Sequence, residues 1–128
     1  MAPHYAVGTV AHVEERHAAT PVIDGDTVTV TSQTIGLVRF NITKNDGQFT
    51  ATEAWVNKPL TINLATPVLM DGHLYCYRPI RTKDYVCVKA ATGELKWTQS
   101  GFGLGKDQTD YASTIAVGKN LLLLTYDG

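Results

Sequence analysis

Two cysteines, four histidines and a set of acidic residues beside glycines are the side chains with chemistry to offer. Cys76 and Cys87 fall on what read as neighbouring strands of one hairpin, each where a small buried hydrophobe would fit. Two buried free thiols are the expectation. A cross-strand disulfide is the alternative, since antiparallel strands meet the required geometry only at some registers. No Cys–His spacing resembles a zinc site. His4, His12, His17 and His73 lack ligand spacing, and His73 directly follows a turn. Asp24, Asp26, Asp46 and Asp71 each lie in a glycine turn, and no single loop holds enough acids for a calcium site. Gly101-Phe102-Gly103-Leu104-Gly105 resembles a phosphate loop only loosely. Lys106 stands where the last glycine of GxGxxG belongs and no helical pattern follows, so the stretch reads as a connector. Ser113 has no partnered histidine and no Gly-x-Ser-x-Gly context, which gives no support to a hydrolase. Arg78, Arg81 and Lys83 form the one local charge cluster, on a long hairpin tip. It reads as a solvated loop, with contact to an anionic partner as the alternative. No residue is assigned a catalytic, cofactor-binding or metal-binding role.

The bulk properties set the class. With 128 residues, 44% hydrophobic and 18% charged, the chain has the composition and length of one globular domain. Eleven basic residues against twelve acidic ones leave a net charge of -1, which argues against nucleic acid as a partner. No apolar run exceeds four residues, as in Leu121 to Leu124, so no membrane span is expected. The first residues, MAPHYAVGTV, lack the basic start and apolar core of a secretion signal.

The elements that must position these side chains are strands. The best-defined stretch is 66–97, with strands at 67–69, 73–77 and 85–88 and a short fourth ending on Trp97. Asp71-Gly72 and Thr92-Gly93 supply the turns, because tight hairpins need positive φ and glycine adopts it cheaply. Before it come a strand at 5–13, a strand at 20–23, a turn at Asp24-Gly25 and an alternating strand at 27–30. A loop at 31–34, a strand at 36–42, a turn at Asp46-Gly47 and a strand at 49–55 closing on Trp55 follow. Residues 56–65 read as a connector, in which Pro59 cannot donate to a central ladder. After a second, glycine-rich connector come strands at 112–117 and 121–126. No helix is expected.

These features recur at regular steps. Asp24-Gly25 to Asp71-Gly72 and Val68 to Ile115 are each 47 residues apart. Pro21 to Pro67 and Gly47 to Gly93 are 46 apart, and Trp55 to Trp97 is 42. A period in the forties with four strands per unit is the signature of a β-propeller blade. The expected fold is therefore all-β. It is a partial propeller of four-stranded antiparallel blades, about two and a half to three in number. The expected blades are about 5–55, about 66–97, and a last one from about 112.

Thr66-Pro67-Val68, the Asp71-Gly72 turn, two apolar strands and Thr92-Gly93-Glu94-Leu95-Lys96-Trp97 resemble the pyrroloquinoline-quinone-like (PQQ-like) propeller repeat. That repeat occurs in quinoprotein dehydrogenases and in outer-membrane-assembly lipoproteins. Cys87, Thr92, Gly93 and Trp97 fit its closing motif, and Lys89 replaces its aspartate. The first unit departs further, with Asp46-Gly47 for Thr-Gly and eight positions rather than four to Trp55. The resemblance implies that Trp55 and Trp97 dock between blades and that Asp24, Gly25, Asp46, Gly47, Asp71, Gly72, Thr92 and Gly93 set turns. It also implies a bacterial, periplasmic or extracytoplasmic setting.

A closed propeller needs about four to eight blades, so a fragment, or a partial ring that associates, is expected. Open blade faces then offer surfaces for a protein partner or self-association. The functional expectation is a non-catalytic structural or interaction scaffold without cofactor. The alternative is a fragment of a PQQ-dependent dehydrogenase, with PQQ and calcium. A weaker third reading is a carbohydrate or peptide binder using Tyr75, Tyr77 and Tyr85.

Overall fold

The computed structural model describes residues 19–62, 64–78, 82–102 and 112–125. Every regular element among them is a strand. β1 (Val22–Asp24), β2 (Thr27–Ser32), β3 (Gly36–Asn45) and β4 (Gln48–Asn57) form one antiparallel sheet in the order β1-β2-β3-β4. β5 (Val68–Met70), β6 (His73–Arg78), β7 (Asp84–Lys89) and β8 (Leu95–Ser100) repeat that order in a second sheet. β9 (Ser113–Val117) and β10 (Asn120–Leu124) pair as a hairpin. The strand expected at 5–13 lies outside the described residues.

The turns follow backbone sterics. Asp46-Gly47 and Asp71-Gly72 have positive φ at both positions (50° and 80°, 49° and 71°), the pattern of a type I′ hairpin. The first turn differs from expectation. Asp24 pairs with Thr27, so the turn is Gly25-Asp26, with positive φ at Gly25 alone. Glycine in the first central position is the type II′ solution.

That one-residue correction changes the repeat. Val22 to Val68 and Thr27 to His73 are both steps of 46 (68 − 22 and 73 − 27), not 47. The sheets then match in detail. Thr29 pairs with Arg39 and Arg39 with Trp55, as Tyr75 pairs with Cys87 and Cys87 with Trp97. A bulge follows Arg39 in one sheet and Cys87 in the other. Just beyond, Ile42 N–H donates to Asp26 O at 2.7 Å, and Ala90 N–H donates to Gly72 O at 2.9 Å. The short Trp55–Trp97 interval now has a cause. Ser32 pairs with Gly36 whereas Arg78 pairs with Asp84, so the second sheet's middle connection is two residues longer, and Arg39 to Cys87 is 48. Its last hairpin is six residues shorter, which returns 42 (48 − 6) between Trp55 and Trp97. The 46-residue step from Gly47 to Gly93 therefore joins positions that are not equivalent.

The two sheets share one core of Leu37, Leu60, Ile62, Leu74, Cys76, Val86, Val88 and Ala90. Leu60 and Ile62 come from the segment read as a connector, and both are buried. Their burial pins that segment between the sheets, at about 1.5–3 kcal/mol per side chain. Strand ends also moved. β2 runs on through Ser32, where a loop was expected, because Thr31 and Ser32 keep pairing with Leu37 and Gly36. β4 runs two residues past Trp55, since Val56 and Asn57 pair with Val38 and Leu37. Within β2 the buried residues are Thr29 and Ser32, with Val28 and Val30 only half-buried. Thr29 lies beside Arg39 on the side that meets the second sheet.

Gly93 and Gly47 both have positive φ (75° and 80°), but only Gly93 is crowded. A Cβ at Gly93 would lie 2.5 Å from Cε3 of Trp55, whereas one at Gly47 meets nothing within 4 Å. Gly47→Ala is expected to cost about 1 kcal/mol from backbone strain alone. Gly93→Ala adds displacement of a packed ring and is expected to cost about 3 kcal/mol in total. Urea unfolding of the two variants checks the difference.

Candidate functional site

The most developed polar arrangement is the joint between the first two sheets. It is assembled from β3 and β4 on one side and the tip of the β7–β8 hairpin on the other. Arg39 is 8% exposed, in the middle of a strand whose neighbours Leu37, Val38 and Phe40 are also buried. A buried guanidinium must satisfy its donors within the protein. Its Nη1 donates to Ala90 O at 3.0 Å, and its Nη2 donates to Asp24 Oδ2 at 2.8 Å and Thr27 Oγ1 at 2.6 Å. Trp55 Nε1 donates to the same Ala90 carbonyl at 2.9 Å, and its ring lies against Gly93. Asn57 Nδ2 donates to Gly93 O at 2.7 Å. Asp24, expected in a turn, thus ends β1 with its carboxylate on Arg39.

The equivalent position on the second sheet carries different side chains. Cys87 stands for Arg39, Tyr75 for Thr29 and Trp97 for Trp55. The Tyr75 and Trp97 rings are 6.0 Å apart and tilted by 52°. Trp97 is 45% exposed, and its indole N–H meets no acceptor among the described residues. Next to this aromatic pair, Tyr85 O–H donates to Thr114 Oγ1 at 2.7 Å and attaches the β9–β10 hairpin to the second sheet.

Both cysteines are free and buried. Cys76 pairs with Val86 and Cys87 with Tyr75 across the same two strands, so alternation sends the two thiols to opposite faces. Burial pushes both thiols up, with the Cys87 charge adding to the rise at Cys76. Burial likewise pushes the Tyr85 phenol up to about 12, against the lowering effect of its bond to Thr114. Of the three tyrosines named from sequence, Tyr77 and Tyr85 are core and Tyr75 is half-buried.

The basic loop is held from within. Arg78 Nε donates to Asp84 Oδ1 at 2.7 Å and Arg78 Nη2 to Asp84 Oδ2 at 2.6 Å, a bidentate pair in which Asp84 is buried. Lys83 adopts a positive φ of 47°, and Arg81 lies outside the described residues. His73 Nδ1 is 2.8 Å from Asp71 O, a contact within its own turn. Among the described residues no three His, Cys, Asp or Glu side chains converge as metal ligands. No described helix is long and apolar enough to cross a membrane.

Sequence reading named Trp55, Gly93 and Asp24 but missed Arg39, Asn57 and Ala90, which complete the joint between the sheets. Its signal was an arginine inside an apolar strand, where only a paired charge is tolerated. The chain matches no known protein-family model and none of the curated proteins compared with it.

Two predictions follow from the charges and thiols. Asp24→Ala removes the half-exposed counter-charge of the buried Arg39 and is expected to cost about 2 kcal/mol, less than for a fully buried pair. Arg39→Met replaces the buried charge by apolar volume, leaves Asp24 hydrated and is expected to cost only about 1 kcal/mol. Denaturant midpoints of the two variants rank them. For pH, the folded values of Cys76 and Tyr85 lie above the ordinary 9.0 and 10.0. Their contribution to stability is full below the unfolded values and is lost as pH rises above them. Urea midpoints should be level up to about pH 8 and fall above about pH 9, and Cys76→Ala should flatten the fall.

Proposed function

We propose that this chain is a PQQ-like β-propeller segment that serves as a non-catalytic structural or protein-interaction scaffold. The observation that carries the reading is the pair of four-stranded meanders with matching strand order, pairing register and bulge position, and a matching backbone hydrogen bond just past the bulge. Sheets repeated in series and joined face to face through a tryptophan and a glycine turn are how a blade stack is built. The residues most distinctive of the repeat carry turns and sheet contacts. Trp55, Asn57, Ala90 and Gly93 join the sheets, and Asp46, Gly47, Asp71 and Gly72 make hairpin turns. Under this reading the blades are the first sheet, the second sheet and the β9–β10 hairpin. The setting implied by the resemblance is the bacterial periplasm.

The reading is tested by adding PQQ and calcium to the purified chain, with an alcohol as substrate. No change in quinone absorbance and no turnover are expected. Saturable quinone binding with alcohol oxidation would overturn it in favour of a dehydrogenase fragment. Light scattering on the same sample measures whether copies associate through open faces.

A further inference from the structure

The Asp-Gly pairs of this chain carry a reactivity of their own. The backbone nitrogen of the residue after an aspartate can attack the side-chain carboxyl carbon, and a glycine leaves that approach unhindered. Residues 24–25, 46–47 and 71–72 are such pairs among the described residues. All of them are exposed, and a Cβ on Gly25, Gly47 or Gly72 would meet nothing within 4 Å. Neither exposure nor space separates the three. Ring closure also requires the aspartate side chain and the following peptide plane to swing, so the hydrogen bonds on those groups decide.

At Asp24 both groups are held. Its Oδ2 accepts from Arg39 Nη2 at 2.8 Å, and its backbone carbonyl accepts from Thr27 Oγ1 at 2.6 Å. At Asp71 the peptide is held on two sides. Asp71 O lies 2.8 Å from His73 Nδ1, and Gly72 O accepts from Ala90 N–H at 2.9 Å. Asp46 and Gly47 stand at the solvent end of the β3–β4 hairpin, beyond its last pair, Asn45 with Gln48. Among the described residues nothing donates to the Asp46 carboxylate or to the carbonyls of Asp46 and Gly47.

We propose that Asp46 is the site at which this chain converts spontaneously to isoaspartate, and that the hydrogen bonds of the fold spare Asp24 and Asp71. In the first step Gly47 N bonds to Asp46 Cγ. The hydroxyl of the protonated carboxyl leaves as water, taking the proton of the Gly47 N–H, and a five-membered succinimide remains. In the second step water adds to the ring carbonyl that was the Asp46 backbone carbonyl. The bond from that carbon to Gly47 N breaks, and the nitrogen regains its proton. The chain then runs through Cβ and Cγ, and the former backbone carbonyl is a free carboxyl group. The water lost is regained, and nothing is oxidised or reduced. The extra backbone carbon falls at the tip, past the bulge after Arg39, so the joint keeps its register. This conversion stands on turn chemistry and is independent of the scaffold reading.

The test ages the full chain for weeks in mildly acidic buffer, both folded and in denaturing urea. Peptide mapping with electron-transfer fragmentation distinguishes isoaspartate from aspartate of the same mass at each pair. In the folded chain Asp46 should convert at least about fivefold faster than Asp24 or Asp71, the factor that one hydrogen bond supplies. In urea the three rates should converge to within about twofold, because the same dipeptide is then free at all three. Arg39→Met, which releases the Asp24 carboxylate, should speed Asp24 about fivefold in the folded chain and leave Asp46 unchanged. Thr27→Val, which releases the Asp24 carbonyl, should act in the same direction. The proposal is overturned if Asp24 or Asp71 keeps pace with Asp46 in the folded chain. It is equally overturned if Asp46 stays intact when folded while the urea sample reacts, or if Asp24 is indifferent to both substitutions.

Discussion

One carbonyl oxygen holds the two sheets in register. Ala90 O receives the guanidinium of Arg39 and the indole N–H of Trp55, both from the first sheet. Ala90 itself is buried, so this oxygen has no water to turn to. Its position is set in turn by the bond from Ala90 N–H to Gly72 O, which ties the hairpin tip to the β5–β6 turn. A shift of either sheet along the other would strand a buried charge and leave an indole unpaired. The apolar core gives the larger share of cohesion, but burial alone is indifferent to sliding. The polar joint makes one alignment preferable to its neighbours.

The same joint explains why side-chain types diverge at matched positions. Arg39 and Cys87 occupy one register position, yet the first faces the β7–β8 tip and the second lies with Tyr75 and the half-exposed Trp97. An arginine is tolerable in the first sheet because Asp24, Thr27 and Ala90 O meet its donors. A cysteine at the matched site asks nothing of a partner, and its thiol stays protonated under Tyr75 and Trp97. Among the described residues, the β9–β10 hairpin touches the second sheet through β5 and β9 and through the hydroxyl pair Tyr85 to Thr114.

Much of this was legible in the sequence. All-β character and most strands followed from Asp-Gly turns and period-2 alternation, as at 71–78. The placement of Trp55 and Trp97 on the closing strands was legible too, although β8 runs three residues past Trp97, to Ser100, where the strand was expected to end on it. Local sterics write those features into a few adjacent residues. Three kinds of feature were not legible. The turn at Gly25-Asp26 looked like Asp24-Gly25, because both dipeptides suit a turn and only pairing decides between them. Leu60 and Ile62 looked like loop residues, because they reach the core without belonging to a strand. Arg39 was passed over because its partners lie 12, 15 and 51 residues away, beyond any local pattern. The faces of Cys76 and Cys87 needed the register of β6 on β7, which turn chemistry alone does not supply.

The paired bulges after Arg39 and Cys87 bear on how such a chain can change over generations. Everything that must fit a neighbouring sheet is counted from the bulge: the tryptophan opposite it and the tip bond just past it. Beyond that point the first hairpin runs on for several more residues into solvent, while the second turns back at once. Insertions at the tip therefore leave the joint in phase, provided residues are added in pairs across the two strands. An insertion before the bulge would throw the arginine or cysteine onto the wrong face. The tip of the β3–β4 hairpin is thus the place where length can drift and where a new loop could be grafted, whereas the β7–β8 tip is held by its contacts with Arg39, Trp55 and Asn57.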